Sequence, residues 1–381
     1  MKIVHCCLSC FYIDNYNYQE NALPRQNKLD GHDVSIIAST ETFINNTNLG
    51  YVQPSQYVNE DGIPVRRIPY RKIPMYFIRR KVRSYKGVYQ ILERENPDVI
   101  LFHGVPAWEL RNIVKYKVAH PGTKLYVDSH EDLNNSARDF LSRNILHKVF
   151  YRYIIRSVYS YIDKIFYLSY ETKDFLTTIY GIPEKKLEFY PLGGTILEDQ
   201  EYLAKRDRIR RELDLSNEDI LLVHSGKLDN LKKTEDILRA LIQVPSQRLQ
   251  LVIVGSIPED MKPVLQPLIE VDKRVNYVGW KTADELMEYL CAADVYVQPG
   301  SQSATMQNAI CCGCAMILYP HKSHEPYLQG NGYYVKSIED MRQVFQEIDD
   351  DPSVLKNMSD NSMKIAKELL DYKKLAARLY E

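Results

Sequence analysis

No stretch of the 381 residues approaches the roughly 18 uncharged apolar residues that a membrane-spanning helix needs, so a spanning segment is excluded. The opening Met1-Lys2-Ile3-Val4-His5-Cys6-Cys7-Leu8 is too short an apolar run for a secretory signal, which points to the cytoplasm or the inner face of the cell membrane. A glycine-rich fingerprint after this first run is also missing. Tyr16-Asn17-Tyr18-Gln19-Glu20-Asn21-Ala22-Leu23-Pro24-Arg25 stands in its place, which removes the main support for a nicotinamide-dependent enzyme. Charge of one sign is lacking too. Lys and Arg number 49 against 50 Asp and Glu, a formal −1, so any attraction to phosphate or membrane must come from local patches, and nucleic acid is not an expected partner. Cysteine is present but unpaired in pattern: Cys6, Cys7, Cys10, Cys291, Cys311, Cys312 and Cys314 form an odd set in two clusters inside apolar runs, without zinc-finger spacing. Reduced, buried thiols and no metal or other cofactor are expected.

What is there is an alternation. Short apolar runs alternate with longer amphipathic ones, the pattern of β-α units around buried parallel sheets. The expected strands of the first half are 3–7, 34–38, 99–103, 125–128 and 165–169; those of the second half are 220–225, 249–254, 275–278, 295–298 and 315–319. This predicts an α/β protein of two Rossmann-like domains. Between the sets, Phe189-Tyr190-Pro191-Leu192-Gly193-Gly194-Thr195 carries the Pro and paired Gly of a hinge. Residues 1–192 therefore form the expected first domain and 193–359 the second, with the helical stretch 360–381 crossing back onto the first. Asp349-Asp350-Asp351 precedes Pro352 at a helix end and reads as a solvated turn rather than a metal site.

Two segments of the second half look chemical. His224-Ser225-Gly226-Lys227 followed by Lys232 is a strand, a tight turn and two cations at the carboxyl edge of a sheet, where open α/β folds bind ligands and where lysines can neutralise a diphosphate. Gln298-Pro299-Gly300-Ser301-Gln302-Ser303-Ala304-Thr305 runs from a strand into a helix, with Ser303 as N-cap and free backbone N–H groups suited to an anion. The alternatives are two solvated lysines and an ordinary helix start. In the first half, Asp128-Ser129-His130-Glu131-Asp132-Leu133-Asn134-Asn135-Ser136 is a dense polar set after a strand, readable as a site or as a helix-capping cluster.

These residues resemble the retaining glycosyltransferases of family four, with the GT-B fold. The resemblance rests on Gly226-Lys227 with Lys232, Val254-Gly255, Val278-Gly279-Trp280, Ala293-Asp294-Val295-Tyr296-Val297-Gln298-Pro299 and Asn308-Ala309-Ile310-Cys311-Cys312-Gly313. Gly31-His32-Asp33-Val34 and Tyr180-Gly181-Ile182-Pro183 in the first half look like the same family. It implies two domains facing across a cleft, the first for the acceptor and the second for a UDP- or GDP-sugar donor. It further implies a metal-independent hexosyltransferase of capsule or O-antigen type polysaccharide biosynthesis.

Residue by residue, the resemblance implies that Lys227, where the family usually has Arg, and Lys232 meet the donor diphosphate, and that Trp280 packs near the base or in the core. His130 is similar to the family's active-site histidine, oriented by Asp128 or Glu131, while His103 lines the cleft. The family's two glutamates fall on Gly300 and Asn308. Asn308 is left to contact ribose, and Ser301, Gln302 or Ser303 the sugar. The loss of both acids keeps a non-catalytic, nucleotide-sugar-binding or scaffold role open as the alternative.

Two runs lack acids altogether. From Arg71 to Leu92 the cations Arg71, Lys72, Arg79, Arg80, Lys81, Arg83 and Lys86 interleave with Met75, Tyr76, Phe77, Ile78 and Tyr85; from Phe140 to Ile162, Lys148, Arg152 and Arg156 fall on one helical face. Both read as contacts with an anionic membrane surface and hence with a lipid-linked glycan acceptor, each cation worth about 1 kcal/mol near anionic head groups. A solvated helix face or a nucleic-acid contact is the alternative.

Overall fold

A computed structural model describes residues 1–16, 18–44, 48–72, 76–133 and 135–381, without the side chains of residues 76 and 77. Asn17, Met75 and Asn134, and the side chains of Tyr76 and Phe77, named above, therefore lie outside the described residues. The chain divides into two compact units, Met1–Pro191 with Tyr372–Glu381, and Leu192–Asp371. The crossing back starts at Tyr372 rather than at residue 360, because the helix Val354–Ile365 and its continuation Ala366–Leu370 stay with the second unit.

The first unit contains β1 (Lys2–Cys7), β2 (Asp33–Ser39), β3 (Glu41–Ile44), β4 (Asn48–Tyr51), β5 (Ser55–Val58), β6 (Pro64–Ile68), β7 (Val99–Phe102), β8 (Lys124–Ser129), β9 (Lys164–Tyr167) and β10 (Leu187–Phe189). Eight of these form one sheet in the order β10-β9-β8-β7-β1-β2-β6-β5, parallel except for β5, and β3 pairs with β4 as a separate hairpin. Successive side chains of a strand point to opposite faces, and both faces here are apolar. Val4, Cys6, Ile100, Phe102, Leu125 and Val127 join one core with Leu92, Leu110, Ile113 and Ile155. Ile3, Val99, Leu101, Tyr126 and Phe166 face the other way, against Leu23, Tyr190, Leu375 and Leu379. His5 lies between Val4 and Cys6 in β1, so its side chain emerges on the second face, and it is fully buried there.

The second unit holds β11 (Ile220–Lys227), β12 (Leu249–Ser256), β13 (Val275–Gly279), β14 (Val295–Gln298), β15 (Ala315–Leu318) and β16 (Gly332–Tyr334) in one parallel sheet ordered β13-β12-β11-β14-β15-β16. Its core gathers Leu222, Leu251, Ile253, Val295, Val297 and Ile317 against Ile237, Leu241 and Phe345. Capping boxes start two helices, Thr282 with Glu285 and Ser337 with Asp340, each satisfying amide donors that a helix start leaves open. Asp349 is not part of a solvated turn: its carboxylate accepts from Ser246 Oγ at 2.6 Å and from Arg248 Nε at 3.2 Å.

Candidate functional site

Both sheets end in polar clusters at their carboxyl edges, and each is described within its own unit. In the second unit, β11 runs into Gly226 at φ 134°, paired with Gly255 at φ 146° on β12. Neither position admits a side chain freely. A Cβ at Gly255 would lie 1.8 Å from the Gly226 carbonyl oxygen, and one at Gly226 would lie 3.0 Å from Lys232 Cε. The bare backbone is what lets Lys232 lie across the strand end, where it is 9% exposed.

Lys232 Nζ donates to the carbonyl oxygens of Ser301 and Gln302, each at 3.3 Å. An ammonium has three N–H donors, so two long bonds to backbone leave one for a ligand. Burial pulls its pKa below the ordinary lysine value, with Asp229 opposing. An anion beside this amine would restore the charge that burial disfavours. The loop that carries those carbonyls is itself clamped: Ser301 N–H donates to the Leu231 carbonyl at 2.8 Å, and a Cβ at Gly300 would lie 2.1 Å from that same oxygen. Glycine at 300 thus has a packing reason, which explains why no acid occupies it.

Lys227 is exposed, with no partner among the described residues. Trp280 is 71% exposed and stands on the surface rather than in a core. Gln302 and Ala304 are exposed, and Ser301, Ser303 and Thr305 half-buried. Ser303 is not the N-cap: Ala304 holds that position in right-handed helical conformation, and Ser303 Oγ accepts from Thr305 N–H at 3.4 Å. The helix is also short, Thr305–Cys311, which weakens it as an anion site. Asn308 Oδ1 accepts from the Thr195 N–H at 3.0 Å, which ties the start of the unit to this helix.

In the first unit the polar edge belongs to β1, β7 and β8. Asp128 is fully buried; its Oδ2 lies 2.6 Å from His103 Nδ1 and its Oδ1 accepts from Gly104 N–H at 2.8 Å. Gly104, at φ 87°, lets the backbone turn to make that bond. His130 Nε2 is 3.5 Å from Asp128 Oδ1 and 3.8 Å from Glu20 Oε1, with the side chain 34% exposed. Burial disfavours its charged form, but Asp128 outweighs this and holds the imidazole raised to about 9. Glu131 instead accepts from Ser129 Oγ at 2.6 Å, so Asp128 is the carboxylate that orients His130.

His103, expected to line the cleft, is fully buried and, like Asp128, which the sequence also offered as a substrate contact, lies beneath the surface rather than on it. The orphaned atoms are more telling. Both polar atoms of Gln19 are buried without a hydrogen-bond partner, and His130 Nε2 has only the long contacts with Asp128 and Glu20, so these groups call for an explanation, of which a bound ligand is one. The same unit has a cavity of about 510 Å³ lined by Phe11, Arg80, Arg83, Glu131, Ser136 and Tyr151, among others. Sequence reasoning passed over Gln19 and His5. A polar residue inside an apolar strand, as His5 is, was the available signal.

The basic runs fare differently. Arg71 donates to the Tyr85 carbonyl, Arg80 pairs with Glu41, and Arg83 donates to Ser9 Oγ and the Pro106 carbonyl, so much of the first run is committed inside the unit. In the second run Lys148, Arg152 and Arg156 line one shallow groove with Val149 and Tyr153. Beside these cations Leu141, Ile145, Val149 and Tyr153 recur every fourth residue and are each more than half exposed. The seven cysteines are free thiols, all buried except half-buried Cys10, and no cluster able to hold a metal occurs among the described residues.

Residues 219–350 match the family model of glycosyl transferases group 1, and residues 24–193 that of the glycosyl transferase 4-like domain. The chain is 21% identical over 201 residues to an alpha-galactosylglucosyldiacylglycerol synthase of Streptococcus pneumoniae (strain ATCC BAA-255 / R6), covering 49% of this chain and about half, 52%, of that protein. In fold it is similar to a sucrose-phosphate synthase from Thermosynechococcus elongatus (TM-score 0.66, 14% identity, 100% of this chain and 97% of that one). It is likewise similar to Alr3699/HepE of Anabaena, solved with UDP and glucose (TM-score 0.64, 14% identity, 100% and 98%).

Proposed function

Because the chain belongs to the group 1 glycosyltransferases of GT-B fold, we propose that it moves a hexose from a UDP- or GDP-sugar to a glycan acceptor with retention of configuration. The observation that carries this reading is Lys232: a mostly buried ammonium, held by two carbonyls over a glycine edge, with one donor unspent. Lys227, exposed on the same strand end, adds a second charge, and the two stabilise the diphosphate as the sugar's anomeric C–O bond breaks. They perform the neutralisation for which other transferases recruit a divalent cation. The acceptor hydroxyl forms the new C–O bond on the same face and gives its proton to the departing phosphate oxygen. His130 acts on the transferred sugar, its charge sustained by Asp128.

The acceptor is proposed to be lipid-linked, as in capsule or O-antigen type pathways, with the enzyme peripheral to the inner face of the membrane. Support comes from the exposed stripe Leu141, Ile145, Val149 and Tyr153 beside Lys148, Arg152 and Arg156, and from the glycolipid named by the pneumococcal relative. Co-sedimentation with anionic and with neutral vesicles checks it. Retention on anionic vesicles only is expected; no retention on either removes the membrane part.

The test of the activity is a panel of UDP- and GDP-sugars offered to the wild type and to Lys232→Ala. One donor should be turned over, or slowly hydrolysed, and the variant should lose roughly 10²–10³-fold of that rate while staying folded. Silence toward every donor would leave a binding role only.

A further inference from the structure

Beneath His130 runs a line of buried hydrogen bonds whose direction can be worked out from its far end. Tyr380 OH donates to Asp30 Oδ2 at 2.8 Å, since a carboxylate only accepts. The Tyr380 oxygen is then an acceptor for Asn27 Nδ2 at 2.8 Å, which turns Asn27 Oδ1 toward His5 Nε2, also at 2.8 Å. His5 must therefore carry its proton on Nε2. If His5 is neutral, its Nδ1 is an acceptor, and the group 3.0 Å away, His103 Nε2, must donate. His103 Nδ1 faces Asp128 Oδ2 at 2.6 Å and donates there as well. Both nitrogens of His103 are protonated.

Full burial and the charge on His103 hold His5 down to about 3, so it is neutral. Burial also works against charge on His103, but the Asp128 carboxylate prevails and raises it to about 10. The two ring planes are within 16° of each other with centroids 5.3 Å apart, the near-coplanar arrangement that an in-line N–H···N bond needs.

We infer that Asp30, Tyr380, Asn27 and His5 act as positioning residues that lock His103 as a buried imidazolium against Asp128. This makes Asp128 a charge-compensated, rigidly aimed carboxylate for His130. The functional part rests on the reading that His130 belongs to the active edge; the protonation pattern does not. One consequence concerns the end of the chain: Tyr380, in the segment that returns to the first unit, is the group that sets the direction of the whole line. Other titratable groups face it. His103 also meets Cys7 of β1 and Glu20 of the helix Gln19–Leu29, and His130 meets Glu20 and Glu131.

The experiment is NMR of the full chain labelled with ¹⁵N in histidine, with His5, His103 and His130 assigned by single substitutions. At pH 7 both His103 nitrogens should carry protons, and His5 should be neutral with its proton on Nε2. A neutral His103, or a His5 proton on Nδ1, overturns the inference. His103→Gln removes the compensating charge, so the His130 titration midpoint should move upward; an unchanged or lowered midpoint overturns the coupling. Should that variant not fold, the wild-type spectra alone still decide. A doubly protonated His103 in a protein that turns over no donor would keep this inference and sink the transferase reading instead.

Discussion

The two polar edges are built on opposite plans. At the edge of β1, β7 and β8, buried side chains satisfy one another, and a single histidine emerges from the network. At the edge of β11 and β12 there is almost no network. Gly226, Gly255 and Gly300 remove side chains so that one lysine can lie over backbone, its remaining donor unmatched. The first edge is rigid because its partners are present, the second because its space is exclusive. On the proposed reading, each plan supplies a preorganised donor facing a place where charge develops.

The comparison can be broken at either edge. At the first edge the largest effect is expected at His130. His130→Ala should lower turnover by roughly 10²-fold, the usual scale for a side chain that exchanges protons or polarises in the transition state, in a protein that still folds at neutral pH. Steady-state rates beside a thermal melt decide, and a variant of wild-type rate would remove the first edge from the chemistry.

How far the sequence carried the argument depends on what each residue hides behind. The central strands were legible because a parallel strand buried on both faces is an uninterrupted apolar run, as Val99-Ile100-Leu101-Phe102 shows. β6 was not. Its Arg66-Arg67 looks like surface charge, yet Arg67 is buried, bonded to Asp14 at 2.7 Å and to the carbonyls of Tyr12 and Ser39. The lysines of the second edge were legible because glycine and cation adjoin in sequence. The network of the first edge was not, since His5, Asn27, His103, Asp128 and Tyr380 meet only through strand order and the returning C-terminal segment. The bond from Thr195 N–H to Asn308 Oδ1 was hidden for the same reason, its partners standing 113 residues apart.

The glycine plan has its own test. Gly255→Ala places a methyl group against the Gly226 carbonyl at a left-handed backbone position, and should destabilise the second unit by about 1–3 kcal/mol. Denaturant unfolding measures it, and an unchanged midpoint would show that the strand ends have room to spare.

A last contrast separates the edges by pH. His103 and His130 are raised to about 10 and about 9, above the unfolded value of 6.5, so their contribution is complete below pH 6.5 and is lost as pH climbs through 9 to 10. His224 of the second unit, lowered to about 4 by burial, favours the opposite trend: it opposes folding only below pH 6.5 and increasingly toward 4. Unfolding followed separately in the two units should therefore show the first weakening more as pH climbs through 9 to 10, while both weaken toward acid, since burial lowers His5 and His147 of the first unit as it lowers His224 of the second; equal alkaline curves would contradict the contrast.

The most direct test of the central claim is calorimetric binding of UDP and GDP to the wild type and to Lys232→Met, which keeps the aliphatic stem and deletes the ammonium. The account predicts that the wild type binds one of the nucleotides and that the variant binds it at least about tenfold more weakly, a loss of about 1.4 kcal/mol or more. Equal affinities would mean that the buried amine grips no diphosphate.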